Sequence, residues 1–236
     1  LSLERRRAQS RGLLIGLEGL IEDFHHRYPL EIVEILLLTH SHGGSVALHM
    51  ADWIEGAPRI QIDHLFTFGA PIHGDTQHHA VSPLFKNVYN IHSEGDYVQV
   101  ADIISTKKYV PSRVFKHDRI LASPKVKQIV VDVGGYDPGH NELWFFCRPD
   151  AFILGSSLPT APLPVAAFTP LILREIKKAK DSEHFLKLSI QLEMAKVHIR
   201  LTPFQNYWKN ELTPLHQYES HFDISTLFSQ LPTIQN

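Results

Sequence analysis

Leu37-Leu38-Thr39-His40-Ser41-His42-Gly43-Gly44-Ser45 sets a serine between an apolar run and a pair of glycines. Upstream, residues 32–38 are short and mostly apolar, which is how a parallel strand buried on both faces reads. Downstream, Val46, Ala47, Met50, Trp53 and Ile54 return at helical spacing. A strand that turns sharply into a helix at a serine forces that residue into a strained conformation, lifts its hydroxyl above the sheet and aims the helix N-terminus at it. Strand and helix approach closely there, so small residues are needed two before and two after the serine. Gly43 meets that demand, Gly44 follows it, and Thr39 departs from it with a branched side chain. The plainer use of Ser41 is an ordinary helix N-cap.

The flanks repeat the alternation. Leu13, Leu14, Leu17, Leu20, Ile21 and Phe24 predict an amphipathic helix that closes before Pro29. Residues 62–68 predict a second strand, ending in Gly69-Ala70-Pro71, and residues 87–92 and 126–133 predict two more. These last two run into polar, glycine-containing loops, Ser93-Glu94-Gly95-Asp96 and Gly134-Gly135-Tyr136-Asp137-Pro138-Gly139-His140. Alternating helices and apolar strands predict an α/β fold with a parallel sheet and right-handed crossovers, whose ligand sites lie at the carboxyl ends of the strands.

Three separated pieces, Thr-His-Ser-His-Gly-Gly at 39–44, Thr-Phe-Gly-Ala-Pro at 67–71 and the two polar strand-end loops, resemble the lipase and esterase branch of the α/β-hydrolase superfamily. In that branch Ala or Thr can replace the first glycine of G-x-S-x-G, and the resemblance spans residues 12–146. It implies a mostly parallel sheet flanked by helices and a serine esterase or lipase-like activity through an acyl-enzyme. Ser41 would be the nucleophile, Asp96 the acid that orients the histidine, and His140 the general base, in the superfamily's chain order of Ser, Asp, His. A carboxylate at 96 would fix the imidazole tautomer, and an imidazole can take and return the serine proton at neutral pH. The backbone amide of His42 would supply one oxyanion donor. Glu94, Asp102 and Asp137 are substitutes for the acid, and His92 and His117 are weaker candidates for the base. Family members place three or four strands before the serine, whereas one helix precedes it here. An N-terminally truncated core with its second oxyanion donor unassigned is therefore expected.

Residues 1–150 are expected to form the hydrolase core, and residues 151–236 a linker followed by an accessory helix and β element. Residues 156–170 are rich in proline and alanine, and residues 169–180 look helical. Apolar and polar residues then alternate over 186–194, and the alternation resumes at Val197, Ile199 and Leu201 after a one-residue slip. Period two predicts a long strand with a bulge, or a hairpin.

Composition limits the rest. The chain has 236 residues, 43% hydrophobic and 20% charged, enough to bury a sizeable core. Lys+Arg 23 against Asp+Glu 25 leaves a net charge of -2, so nucleic acid is not an expected partner. A small-molecule or lipid ester is the expected substrate, with no cofactor. The basic run over 106–119 is a solvated face or a peripheral contact with substrate or membrane. No apolar run is long enough for a membrane span, and the single Cys147 leaves a soluble cytoplasmic or exported location equally open. The chain begins with Leu rather than Met, so upstream sequence is expected to have been removed. His40-x-His42 and His78-His79 are metal-ligand residue types, but Gly44 and Ser45 stand where an H-x-H-x-D-H zinc motif needs Asp and His, and no metal site is expected. Two rival readings remain: a metal-dependent hydrolase and a catalytically silent hydrolase-like binding module.

Overall fold

The computed structural model describes residues 2–101, 112–145, 164–193 and 196–204. Six strands, β1 (Leu36–His40), β2 (His64–Phe68), β3 (Val88–His92), β4 (Val126–Val133), β5 (Phe185–Glu193) and β6 (Lys196–Pro203), lie in one sheet in chain order. β1 to β5 are parallel, and β6 runs back antiparallel on β5. The mostly parallel α/β sheet expected of an α/β-hydrolase is present. The period-two stretch resolves as a hairpin, with Leu186 opposite Pro203 and Glu193 opposite Lys196, and it continues the same sheet.

Side chains alternate across this sheet and build a core on each face. Leu65 and Val88 join Ala47, Leu48, Met50, Leu84, Phe85 and Phe115 on one side. Phe66, Phe68, Tyr89, Ile91 and Ile129 meet Leu143, Phe168, Ile172 and Ile176 on the other. Helices α1 (Leu3–Arg27) and α2 (His42–Leu48) contribute Leu14, Ala47 and Leu48 to the first core, and α5 (Thr169–Ile176) supplies Ile172 and Ile176 to the second. Two short helices, α3 (Val98–Ala101) and α4 (Asp118–Leu121), lie between β3 and β4.

Several boundaries differ from the sequence reading for identifiable reasons. α1 starts ten residues before the apolar stripe at Leu13, because Arg6 and Ser10 continue the buried line of Leu14 with polar side chains. Ser10 Oγ accepts from Trp53 Nε1 at 2.9 Å, and Arg7 Nε donates to Asp52 at 2.8 Å, so the helix docks through polar contacts that hydrophobic periodicity does not see. β1 begins at Leu36 rather than at 32, where its ladder with His64 begins, and Ile32 is 96% exposed. Among the described residues β1 has a neighbour on one side only. The helical spacing after Ser41 divides into α2 and a 3-10 turn at His49–Trp53. Residues 141–145, which read as helix-like, form successive turns instead: the amides of Glu142 and Leu143 return to Gly139, and those of Trp144 and Phe145 to Asn141. The basic run from 106 to 111, Asp102, Cys147 and the proline-rich stretch from 156 to 163 lie outside the described residues.

The close approach of helix to strand falls one residue later than expected. A Cβ on Gly44 would stand 2.5 Å from Ala70 Cβ and 3.3 Å from Thr67 Cβ, whereas one on Gly43 would meet only Thr39 Cβ at 3.7 Å, an ordinary contact. The openness at Gly43 is also what admits Thr39, whose hydroxyl donates to the Phe66 carbonyl at 2.9 Å. Gly44→Ala is expected to lower stability by about 1–3 kcal/mol through overpacking, while Gly43→Ala changes it by less than about 1 kcal/mol because helix propensity favours alanine. Urea midpoints of the two variants measure the contrast, and an equal effect of both would contradict it.

Candidate active site

Ser41 leaves β1 with φ 53 and ψ -132, the one positive φ of a non-glycine among the described residues. Such a conformation costs on the order of 1–3 kcal/mol and persists only where neighbouring structure imposes it. Here the Ser41 amide donates to the Phe68 carbonyl at 2.9 Å, and the Ser41 carbonyl accepts from the Gly44 amide at 3.0 Å. The hydroxyl makes no capping hydrogen bond, so the N-cap use of this serine does not apply. His42 follows at the first position of α2.

Parallel register brings the ends of β1, β2 and β3 side by side, with His40 opposite Phe68, and Phe68 opposite Ile91. The loops holding Ser41, Gly69, Asp96 and His140 therefore all leave the same edge of the sheet. There His140 Nδ1 lies 2.8 Å from Asp96 Oδ2. Asp96 is fully buried, and its other oxygen accepts from the Gln99 amide at 3.1 Å. An ionised carboxylate only accepts, so Nδ1 carries the proton and Nε2 is left with its lone pair. The other carboxyl candidates stand elsewhere: Glu94 is exposed, Asp137 is partly buried beside the Gly95 backbone, and Asp102 is outside the described residues. His117 caps α4 by accepting from the Arg119 amide, and His92 is buried within β3.

Residues 13–103 match the family described as Lipase (class 3). The chain has an α/β-hydrolase fold, and this segment of it is similar to that lipase family. Comparisons with curated proteins and with solved structures give no match. The matched segment contains Ser41 and Asp96 and ends before His140. It is the tertiary structure that sets His140 against Asp96, with Nδ1 2.8 Å from Oδ2.

Three supports of the site were not assigned from the sequence. Gly69 has φ +58, and a Cβ there would stand 2.8 Å from Asp96 Oδ2 and 3.2 Å from His140 Nδ1, so the Asp-His pair meets over a residue without a side chain. The quoted Thr-Phe-Gly-Ala-Pro stretch was the available signal. Arg113 belongs to the run read as a solvated face, yet Nη2 donates to the carbonyls of Asp96 at 3.0 Å and Glu94 at 3.1 Å, clamping the acid loop. Gln99 Nε2 donates to the Ala70 carbonyl at 2.8 Å and ties that loop to the end of β2. No local pattern marks Arg113 or Gln99, because their partners are backbone carbonyls on other loops.

His49, Asp52 and His79 are the group of possible metal ligands among the described residues, with ligand atoms within 4.8 Å of one another, and neither His40 nor His42 belongs to it. Asp52 accepts from His49 Nδ1 at 2.9 Å and pairs with His79 Nε2 at 2.8 Å, while Arg7 Nε donates to it at 2.8 Å. The guanidinium already supplies the positive charge on this carboxylate. Burial first, and the neighbouring His78 second, push His79 down to about 4, so its ring is neutral at physiological pH.

Asp137 precedes His140 on the same loop, and burial, followed by the charges of Glu94 and Asp132, pushes its carboxyl up to about 6. Between its ordinary value of 3.8 and about 6 the folded protein binds more proton at this site than the unfolded chain. Stability contributed by Asp137 therefore falls as pH rises through that window. Asp137→Asn is expected to gain stability relative to the parent as pH goes from 4 to 7, because it removes this cost. Unfolding midpoints compared at both pH values measure the difference. A gap that stays constant or shrinks with pH would show that Asp137 does not titrate in this way.

Proposed function

We propose that this hydrolase cleaves carboxylic esters through an acyl-enzyme formed on Ser41. The observation that carries the reading is the buried Asp96–His140 hydrogen bond of 2.8 Å on the same sheet edge as the strained Ser41. His140 Nε2 takes the Ser41 proton as Oγ attacks the ester carbonyl, and gives it to the departing alkoxide when the C–O bond breaks. Water, deprotonated by the same nitrogen, then attacks the acyl-enzyme, and the proton returns to Ser41 as the acid leaves. Asp96 holds the tautomer and stabilises the imidazolium. The backbone amide of His42 donates to the developing oxyanion.

An apolar acyl ester, small-molecule or lipid, is the substrate class we assign. Tyr97 and Val98 directly follow Asp96, Phe145 lies just past His140, and each is 55% exposed. A single exposed apolar residue is ordinary. Three on the two loops that hold the acid and base make an apolar rim at the site, suited to acyl chains and to peripheral contact with a lipid surface. No helix among the described residues is long and apolar enough to cross a membrane.

Ser41→Ala is expected to leave a folded protein whose hydrolysis of short p-nitrophenyl esters is at background, and Asp96→Asn to lower kcat by about 10³–10⁴. Asp137→Asn should change kcat less than about tenfold, since Asp137 does not hold the imidazole. Background hydrolysis in the parent itself, with no labelling by a fluorophosphonate, would favour the silent binding module, whereas full activity in Ser41→Ala would remove Ser41 from the nucleophile role.

Dialysis against EDTA should leave ester hydrolysis unchanged, because no step above passes through His49, Asp52 or His79. Activity lost on dialysis and restored by zinc would replace the serine mechanism by a metal-dependent one.

A further inference from the structure

His40, the residue before the candidate nucleophile, is tied to the residue assigned as base. Its Nε2 lies 3.1 Å from the backbone carbonyl oxygen of His140. A carbonyl only accepts, so this nitrogen carries the proton and the tautomer of His40 is settled. The ring is also packed between aromatic neighbours on the His140 loop. Its centroid stands 4.5 Å from the His140 ring, 5.7 Å from Trp144 in a stacked arrangement with planes 12° apart, and 5.7 Å from Phe145 edge-on. Residues 139–145 are turns rather than a helix; the carbonyls of Glu142 and Leu143 accept from the amides of Val165 and Ala166 at 3.1 and 3.0 Å, which holds the far end of the loop, while His40 holds its start at residue 140.

We infer that His40 is a positioning residue that fixes the distance between Ser41 and His140, by donating Nε2–H to the His140 carbonyl and by seating the Trp144 ring. The inference rests on the serine-hydrolase reading. Its physical basis is rigidity. β1 carries His40 and Ser41 as adjacent residues, so a bond from position 40 to the backbone of position 140 transmits the place of the nucleophile to the base without an intermediate element. Asp96 fixes the far side of the imidazole at Nδ1; His40 fixes the main chain from which the imidazole hangs. Together they leave the ring little freedom to swing away from Ser41. Burial first, and the His140 charge second, lower the pKa of His40, so a neutral ring faces His140 when that residue becomes an imidazolium. A second cation beside it would oppose the proton transfer.

The test separates donor from ring. His40→Phe keeps an aromatic ring for Trp144 and removes the donor; His40→Gln removes the ring and places an amide N–H near the former Nε2. With wild type, Ser41→Ala and His140→Ala assayed beside them on a short ester, His40→Phe is expected to lower kcat by about tenfold to a hundredfold, the scale of a misplaced catalytic group. KM should move less than about threefold, and the unfolding midpoint should stay within the range of a surface substitution. His40→Gln should recover most of the lost kcat. Wild-type kcat in His40→Phe, or equal losses in Phe and Gln variants, overturns the donor role of His40 while leaving the serine mechanism standing. An unaltered rate in Ser41→Ala instead removes the serine mechanism, whatever the position 40 variants do.

Discussion

A side chain at position 69 would occupy the space in which Asp96 and His140 meet, and the arrangement of the candidate site follows from its absence. Gly69 closes β2 with φ +58, a conformation glycine adopts without penalty. Its amide donates to the Ile91 carbonyl at 2.9 Å, which locks the end of β2 to β3. The carboxylate of Asp96 and the imidazole of His140 then pack directly over backbone. Fully buried, Asp96 would be costly as a bare charge, and its two oxygens are taken by His140 Nδ1 and the Gln99 amide.

The same economy of space operates at the other end of the site. α2 can lie against the end of β2 because Gly44 presents no Cβ to Ala70 and Thr67. That approach, with the Ser41 amide bonded to Phe68 and the Ser41 carbonyl to Gly44, imposes the positive φ on the serine. Strain at Ser41 is thus sustained by packing on β2 rather than by any feature of the serine itself. β2 serves both halves: its last residue receives Ser41, and the glycine that follows it receives the acid and base.

Around these contacts the loops are held chiefly through main-chain carbonyls. Arg113 grips Glu94 and Asp96, Gln99 grips Ala70, and His40 grips His140. Such bonds place loops without demanding a particular side chain at the receiving position. Asn90 Nδ2 in turn donates to the Arg113 carbonyl at 2.8 Å, so the clamp on the acid loop is itself anchored to β3.

Much of this was determined by local sequence. The apolar run at 126–133 coincides with β4, and those at 62–68 and 87–92 differ from β2 and β3 only at their first residues, because a strand buried on both faces announces itself in composition. The Ser41 turn was legible from a strand and a helix separated by small residues, and Asp96 and His140 from their place after strands. The β5–β6 hairpin was visible as period two, although the slip at 195 alone did not separate bulge from hairpin. What only the tertiary structure decided are contacts between residues far apart in the chain: the choice of Asp96 over Glu94 and Asp137 as the partner of His140, the clamp by Arg113, the bond from His40 to His140, the room required at Gly69, and the polar docking of the first turns of α1. Periodicity reports which face of an element is buried, since burial of apolar area acts residue by residue along the chain. A hydrogen bond between loops depends on where two strands end relative to one another, and that is fixed only once the sheet has assembled.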